Sequence, residues 1–225
     1  MAKNLSLINI LIRLILILAI FSALLFIPAG SMYWLEAWLC LIIALGGFGF
    51  ITIWSWYKSR DLIQTRAEFR APEQTGDKFF MLSGLLTALA IFIMSGLDFR
   101  FKLTAIPFSI KFISLMVFSS SFLIYFTTMR ANPYLFKQIE IHDDQEVIST
   151  GLYGLVRHPM YVGIILMVTS FPIALGTITG VIPAFLFDFL LVKRITLEER
   201  LLIQELEGYT EYMKRVKYRL IPKLW

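Results

Sequence analysis

The sequence predicts an all-α, polytopic membrane protein with about six membrane helices: four long ones and a C-terminal helical hairpin, followed by a cytoplasmic amphipathic helix. Three observations carry this. The chain of 225 residues is 58% hydrophobic and 15% aromatic, with a mean hydropathy of +0.73, more apolar surface than one soluble core of that length can hide. Four stretches, roughly Leu5 to Ile27, Trp34 to Tyr57, Phe79 to Leu97 and Phe108 to Met129, reach the about 20 residues that a bilayer crossing needs. The lysines and arginines then fall on one side of the layout, as the positive-inside rule requires.

The first stretch follows a lysine, but its apolar run is longer than the roughly 7 to 15 residues of a signal peptide and Arg13 interrupts it, so it reads as a retained anchor. Past the fourth stretch, two shorter runs, about Met160 to Leu175 and Ile178 to Val192, are separated only by Gly176-Thr177. They read as a tight helical hairpin that returns the chain to the face it left. With a cytoplasmic N-terminus, that face collects Lys3, five cations between 58 and 78, three from Arg130 to Arg157 and eight from Lys193 onward; the other face has Arg100 and Lys102. Both termini and the segments around His158 and Glu198 are therefore expected on the cytoplasmic side. After Val192, Leu197, Leu201, Leu202, Leu206, Tyr209, Met213 and Val216 recur at helical spacing with charges between them, which predicts an amphipathic helix against the membrane or the protein.

Smaller features have structural readings. Gly46-Gly47-Phe48-Gly49 and Ser119-Ser120-Ser121 are patches that let helices approach closely. Trp34, Trp38, Trp54, Trp56 and Trp225 are placed as an interfacial aromatic belt. The single cysteine, Cys40, excludes an intrachain disulfide, and His142 and His158 lack a carboxylate at ligand spacing, so no metal site is expected. The net charge of +5 is explained by topology, and no nucleic-acid partner is expected.

The chemistry concentrates in Gly151-Leu152-Tyr153-Gly154-Leu155-Val156-Arg157-His158-Pro159-Met160-Tyr161-Val162-Gly163. Pro159 suits the first turn of a helix, where its missing N–H costs nothing, so His158 stands at a helix start. Two readings are equal there. Arg157 and the helix dipole attract an anionic ligand group, or Arg157 snorkels to lipid phosphate while His158 caps the helix. Arg194 and Glu198 share a helix face, and an ion pair accounts for them. Yet Glu198-Glu199 also lies where the hairpin returns to the face carrying His158, and a pocket with one cationic and one acidic wall suits a zwitterionic, positively charged small molecule beside a lipid.

Asn132 with Gln138, Thr150-Gly151-Leu152-Tyr153, Arg157-His158-Pro159-Met160-Tyr161-Val162-Gly163, Glu198-Glu199, Gly208-Tyr209-Thr210-Glu211-Tyr212 and Leu220-Ile221-Pro222, in this order and spacing, resemble the isoprenylcysteine carboxyl methyltransferase family of integral membrane enzymes. The resemblance covers about residues 130 to 222. It implies a transmembrane scaffold in 1–129 and a cofactor-binding region in 130–225. It also implies S-adenosyl-L-methionine as methyl donor and a lipidic or prenylated acceptor entering from the bilayer among the membrane lipids. Carried over residue by residue, it places Gln138, the segment Gln145, Glu146, Val147, Ile148, Ser149 and Thr150, then Tyr153, His158, Pro159, Met160 and Tyr161 around the cofactor. Glu198 would face the cofactor's amino group or sulfonium, and Arg194 the substrate. These two are the candidate catalytic residues. The chain departs from the family at Gly151-Leu152-Tyr153-Gly154, where the family often reads Gly-Pro-Tyr-Arg, so the cation of that turn is missing or replaced.

A carboxylate acceptor is already ionised at neutral pH, so alignment and loss of water do most of the catalytic work, with Arg194 orienting it through forked hydrogen bonds. The alternative is a phospholipid N-methyltransferase, whose amine would set a cation near Arg194. An NADPH-dependent sterol-type reductase would need more cations than this pocket offers. A non-enzymatic membrane protein should show polar residues in the early spans, where Arg13, Glu36 and Lys111 stand nearly alone.

Overall fold

The computed structural model describes residues 7–58, 75–132 and 146–225. Among them are seven α-helices and one short 3-10 turn, with no strand: α1 (Leu7–Ala29), α2 (Leu35–Lys58), α3 (Thr75–Phe101), α4 (Phe108–Ala131), the turn Gly151–Gly154, α5 (Pro159–Ala174), α6 (Val181–Glu205) and α7 (Tyr209–Arg215). Four helices are long and apolar enough to cross a membrane, over Leu11–Ala29, Leu35–Lys58, Lys78–Phe101 and Phe108–Ala131, so the chain is a multi-pass integral membrane protein. These match the four expected stretches to within a few residues.

The hairpin forms where Gly176-Thr177 predicted it, from α5 and the first half of α6. Gly176 takes φ +87°, a conformation that favours glycine, and the Thr177 N–H and hydroxyl both donate to the Pro172 carbonyl. Its depth is set by α3. At its tip, the Ile178 and Thr179 N–H groups donate to the Asp98 Oδ2 carboxylate oxygen at 3.1 Å each, and Thr104 holds Asp98 from the other side. At its base, the Arg194 guanidinium lies 4.4 Å above the Phe80 ring. Phe80 and Asp98 are separated by eighteen residues of α3, about 27 Å of helix axis, close to the roughly 30 Å thickness of a hydrocarbon core. α5 is only 16 residues long, about 24 Å, too short to be recognised as a span by length.

Packing follows from small residues at contacts. α4 lies along α5, α1 along α3, and α3 along α6. A Cβ added to Gly163 of α5 would sit 3.3 Å from the Ser121 carbonyl, the Tyr125 amide nitrogen and Ile124 of α4, so glycine lets the helix that carries the signature press onto α4. Gly47 accepts the Phe122 ring, which a Cβ would meet at 2.4 Å, whereas Gly46 and Gly49 face open space. The small-residue patch therefore acts through one of its glycines.

Two expectations are corrected, and one charge in the early spans finds a partner. Trp34 is not an interfacial anchor: it is 1% exposed, stacks on Phe99 at 4.4 Å and donates its indole N–H to the Leu175 carbonyl at 3.1 Å. Lys111 is paired with Glu36 across α4 and α2, which offsets the cost of placing charge at the membrane edge. The amphipathic periodicity after Val192 belongs to two pieces. α6 continues straight out of the hairpin to Glu205, the chain turns at Gly208 with φ +79°, and α7 then folds back on the protein. Leu206, Tyr209, Tyr212 and Val216 bury together there against Leu202, Met213 and Val147.

Candidate active site

The site is assembled where the signature, the end of α6 and the segment after α7 meet. Its backbone frame comes first: the Arg157 and His158 N–H groups donate to the Tyr218 and Arg219 carbonyls at 2.9 and 3.0 Å. This extended pairing fixes residues 216–219 beside the start of α5.

Glu199 is the hub. It is 2% exposed and accepts three donors: Arg157 Nε at 2.7 Å, His158 Nε2 at 3.1 Å and Arg219 Nε at 2.6 Å. Burial by itself raises the Glu199 pKa. The hydrogen bonds from His158, Arg157 and Arg219 outweigh that and hold it down at about 2, because donors to the charged form favour it. Arg157 completes the clasp by donating Nη1 to the Val216 and Lys217 carbonyls at 2.9 and 2.7 Å. It neither snorkels to lipid nor faces a ligand anion as expected from the sequence: it is 7% exposed and joins the signature to the C-terminal segment. His158 occupies the N-cap position of α5, but its side chain makes no capping bond, because the imidazole is turned to Glu199.

Glu198, one residue earlier, is different. Its side chain is 24% exposed. It accepts the Tyr161 hydroxyl proton at 2.5 Å, while Arg194 Nε donates to the same hydroxyl oxygen at 3.3 Å. Arg194 and Glu198, four residues apart on α6, are thus linked through a tyrosine of α5. His158 Nδ1 lies 4.0 Å from Glu198 Oε1, so His158 stands between the two acids. Behind it, the Tyr153 hydroxyl accepts from Asn132 Nδ2 at 3.1 Å and the Tyr153 carbonyl accepts from the Tyr212 hydroxyl at 2.7 Å. Burial raises the Tyr153 pKa and pushes Tyr212 up to about 12, so both phenols stay neutral at working pH.

The structure brings Tyr153, His158, Tyr161, Arg194 and Glu198 into this one neighbourhood. Pro159 is buried at the first turn of α5, and Met160 packs against the apolar cluster of Tyr161, Leu191, Ile195 and Leu220. In the segment before the turn, Glu146 and Thr150 are exposed, Ile148 and Ser149 are half-buried, and Val147 packs beside Tyr209 and Tyr212. Gln138 and Gln145, like His142, lie outside the described residues.

Sequence reasoning took Glu199 only as half of an acidic pair and gave no role to Arg219, Tyr212 or Phe80, whose partners are far away in the chain. It also passed over Asp188, buried within α6, where one carboxylate oxygen accepts from Thr169 and the other has no partner among the described residues. A lone acid within the second hairpin run was a usable signal, since charge in lipid is costly.

Two comparisons bear on this arrangement. Residues 112–204, from α4 to the last turn of α6, match the family model described as "Isoprenylcysteine carboxyl methyltransferase (ICMT) family". The chain is also similar to Delta(14)-sterol reductase TM7SF2 of Mus musculus, 33% identical over 85 residues. That alignment covers 36% of this chain and 20% of the relative, so the chain matches only a fifth of the relative's length.

Proposed function

We propose that this chain, whose residues 112–204 belong to the isoprenylcysteine carboxyl methyltransferase family, is an S-adenosyl-L-methionine-dependent membrane methyltransferase that esterifies a carboxylate of an isoprenylated cysteine-like or other lipidic acceptor. The carrying observation is the unequal treatment of two adjacent acids. Glu199 is sealed by three donors, whereas Glu198 is accessible and coupled through Tyr161 to an arginine at the membrane edge.

The residues fit such a cofactor. An accessible carboxylate ringed by Tyr153, Tyr161 and His158 suits a ligand with an ammonium and a sulfonium, since aromatic faces and acids both attract cations. In this reading Glu198 takes the amino group or sulfonium. Tyr153, His158, Pro159, Met160 and Tyr161 line the pocket with 146–150, and the resemblance adds Gln138 and Gln145, which lie outside the described residues. When bound, the cofactor supplies a methyl group activated on sulfur, which passes to the acceptor oxygen as the neutral sulfide leaves. No general base is needed for an ionised carboxylate. Arg194 orients that carboxylate, held by the Phe80 ring beneath it and by Tyr161, and the apolar hairpin strips water from it.

The acceptor arrives from the bilayer, because Arg194 lies just past the apolar run of α6. The hairpin is read as two further crossings, and its base, with both termini, as cytoplasmic.

The similarity to a sterol reductase gives the second reading. Against it, Arg157 and Arg219 are both committed to Glu199, which leaves neither for the phosphates of a nicotinamide cofactor. An amine acceptor, the N-methyltransferase alternative, would place a cation beside Arg194.

The test is transfer of a radiolabelled methyl group on membranes with farnesylcysteine analogues and extracted lipids. Base-labile label is expected; base-stable label would move the assignment to nitrogen. Arg194→Ala should cut turnover by roughly a hundredfold and leave S-adenosylhomocysteine binding unchanged, while Glu198→Ala removes that binding. Equal loss of binding in both variants would refute this division of roles.

A further inference from the structure

Two cations stand inside the early spans, and they are treated unequally. Lys111 of α4 is neutralised by Glu36 of α2. Arg13 of α1 is exposed, and among the described residues no acid pairs with it. A lone charge on a lipid-facing helix is costly, so its counter-charge comes from outside the bundle.

The depth of Arg13 follows from how α1 lies on α3. Phe21 stacks on Phe92 at 5.0 Å, and a Cβ on Gly96 would meet the Leu25 carbonyl and the Ala29 amide nitrogen, so the two helices run parallel at a constant offset. Arg13 is thereby level with Gly84, about 6 Å deeper in the apolar layer than Phe80, which marks the hairpin base. Side chains on a helix lean towards its N-terminus. The N-terminus of α1 is at the base, so Arg13 leans out towards the headgroups of that leaflet.

Arg13 also stands at the mouth of a groove. Leu14, Ile17 and Phe21 of α1 face Leu41, Ala44 and Phe48 of α2 across about 310 Å³ of open space with an almost wholly apolar lining. Ile17 is one turn from Arg13 on the same face of α1, which puts the cation at the base-side end of the groove. An apolar channel running inwards from a cation matches a lipid, with its acyl chain below and its phosphate above. The charge then selects among lipids. A zwitterionic headgroup brings its own cation to compete for the phosphate, whereas a net anionic one supplies the charge that Arg13 lacks, through forked hydrogen bonds to phosphate oxygens.

We infer that the groove between α1 and α2 binds one anionic glycerophospholipid of the base-side leaflet, with its phosphate on Arg13 and an acyl chain along Ile17 and Ala44. The walls of this site belong to α1 and α2, whereas the candidate active site is built from α5, α6 and the C-terminal segment. The lipid site is therefore independent of the methyltransferase reading.

The experiment titrates the full chain in detergent with phosphatidylglycerol and with phosphatidylcholine of the same acyl chains, counting bound lipid by native mass spectrometry. The wild type should retain one phosphatidylglycerol in preference to phosphatidylcholine. Arg13→Gln alters an exposed position and should unfold, lipid-free, at the wild-type temperature. It should weaken phosphatidylglycerol roughly fivefold, the effect of one cation at a charged lipid surface, and leave phosphatidylcholine unchanged, whereas Arg13→Lys keeps most of the preference. Ala44→Phe fills the groove and should weaken both lipids. Equal retention of the two lipids by the wild type, or an unchanged preference in Arg13→Gln, would show ordinary annular lipid and overturn the inference. Wild-type lipid binding in folded Ala44→Phe would overturn it too, by removing the groove from the site. An Ile17→Cys variant that forms a disulfide-linked dimer in membranes would do the same, because a second copy would then cover this face.

Discussion

The two ends of the C-terminal hairpin are both fastened by one buried carboxylate, and they are fastened differently. At the tip, Asp98 collects the neutral N–H groups of Ile178, Thr179 and Thr104 and the Thr104 hydroxyl. At the base, Glu199 collects two arginines and a histidine. A carboxylate capped by backbone amides fixes the path of a turn and has no further valence to offer. One surrounded by cations fixes three chain segments at once and lets its neighbour, Glu198, remain open. The base can therefore hold the candidate site in register, while the tip only anchors the turn.

Removing each carboxylate sharpens this contrast. Glu199→Ala should have the largest effect, about 3–5 kcal/mol of destabilisation, because it leaves Arg157 buried without its counter-ion. Thermal unfolding in detergent measures it, and S-adenosylhomocysteine binding should vanish together with stability. Asp98→Ala should cost less, about 2–3 kcal/mol, the loss of several hydrogen bonds to one charged acceptor. Binding by the folded fraction should persist. If Asp98→Ala abolished binding at temperatures where the protein stays folded, the tip would be more than an anchor.

Acid tests the same carboxylate without a substitution. Glu199 has a folded pKa of about 2, below its ordinary 4.5. The stability it contributes is therefore complete above about pH 4.5 and is lost as pH falls towards 2. Unfolding temperatures measured between pH 7 and pH 5 should show no pH dependence arising from Glu199. Glu199→Gln should be insensitive to the further drop that the wild type shows below pH 4.5. A variant that tracks the wild type through that window would mean that other carboxylates control acid stability.

How much of this was legible in the chain depends on the distance between cause and effect. The four long spans follow from local apolar runs, and the hairpin from two such runs around Gly176-Thr177, because bilayer thickness is a fixed length against which a segment can be measured. The cluster of Tyr153, His158, Tyr161, Arg194 and Glu198 came from motif order. The tail was read less well: the recurring apolar positions after Val192 were continuous, yet the chain breaks at Gly208 and packs on itself. Periodicity reports a buried face and not what covers it.

Arg157 shows the same limit. Its sequence neighbourhood permits a lipid contact, an anion site or a structural clasp, and only the approach of Glu199, Val216 and Lys217, 42 to 60 positions away, selects the clasp. The two adjacent glutamates are chemically identical in the sequence. Tertiary packing gives one of them three donors and no solvent, and the other a tyrosine and an opening. The sequence by itself determined that this is a helical membrane protein with its polar groups gathered at the signature and the hairpin base, since hydropathy and charge placement are local quantities. Which acid is sealed and which arginine is committed were decided only by the tertiary structure, because hydrogen bonding and burial depend on partners that the chain brings together from far apart.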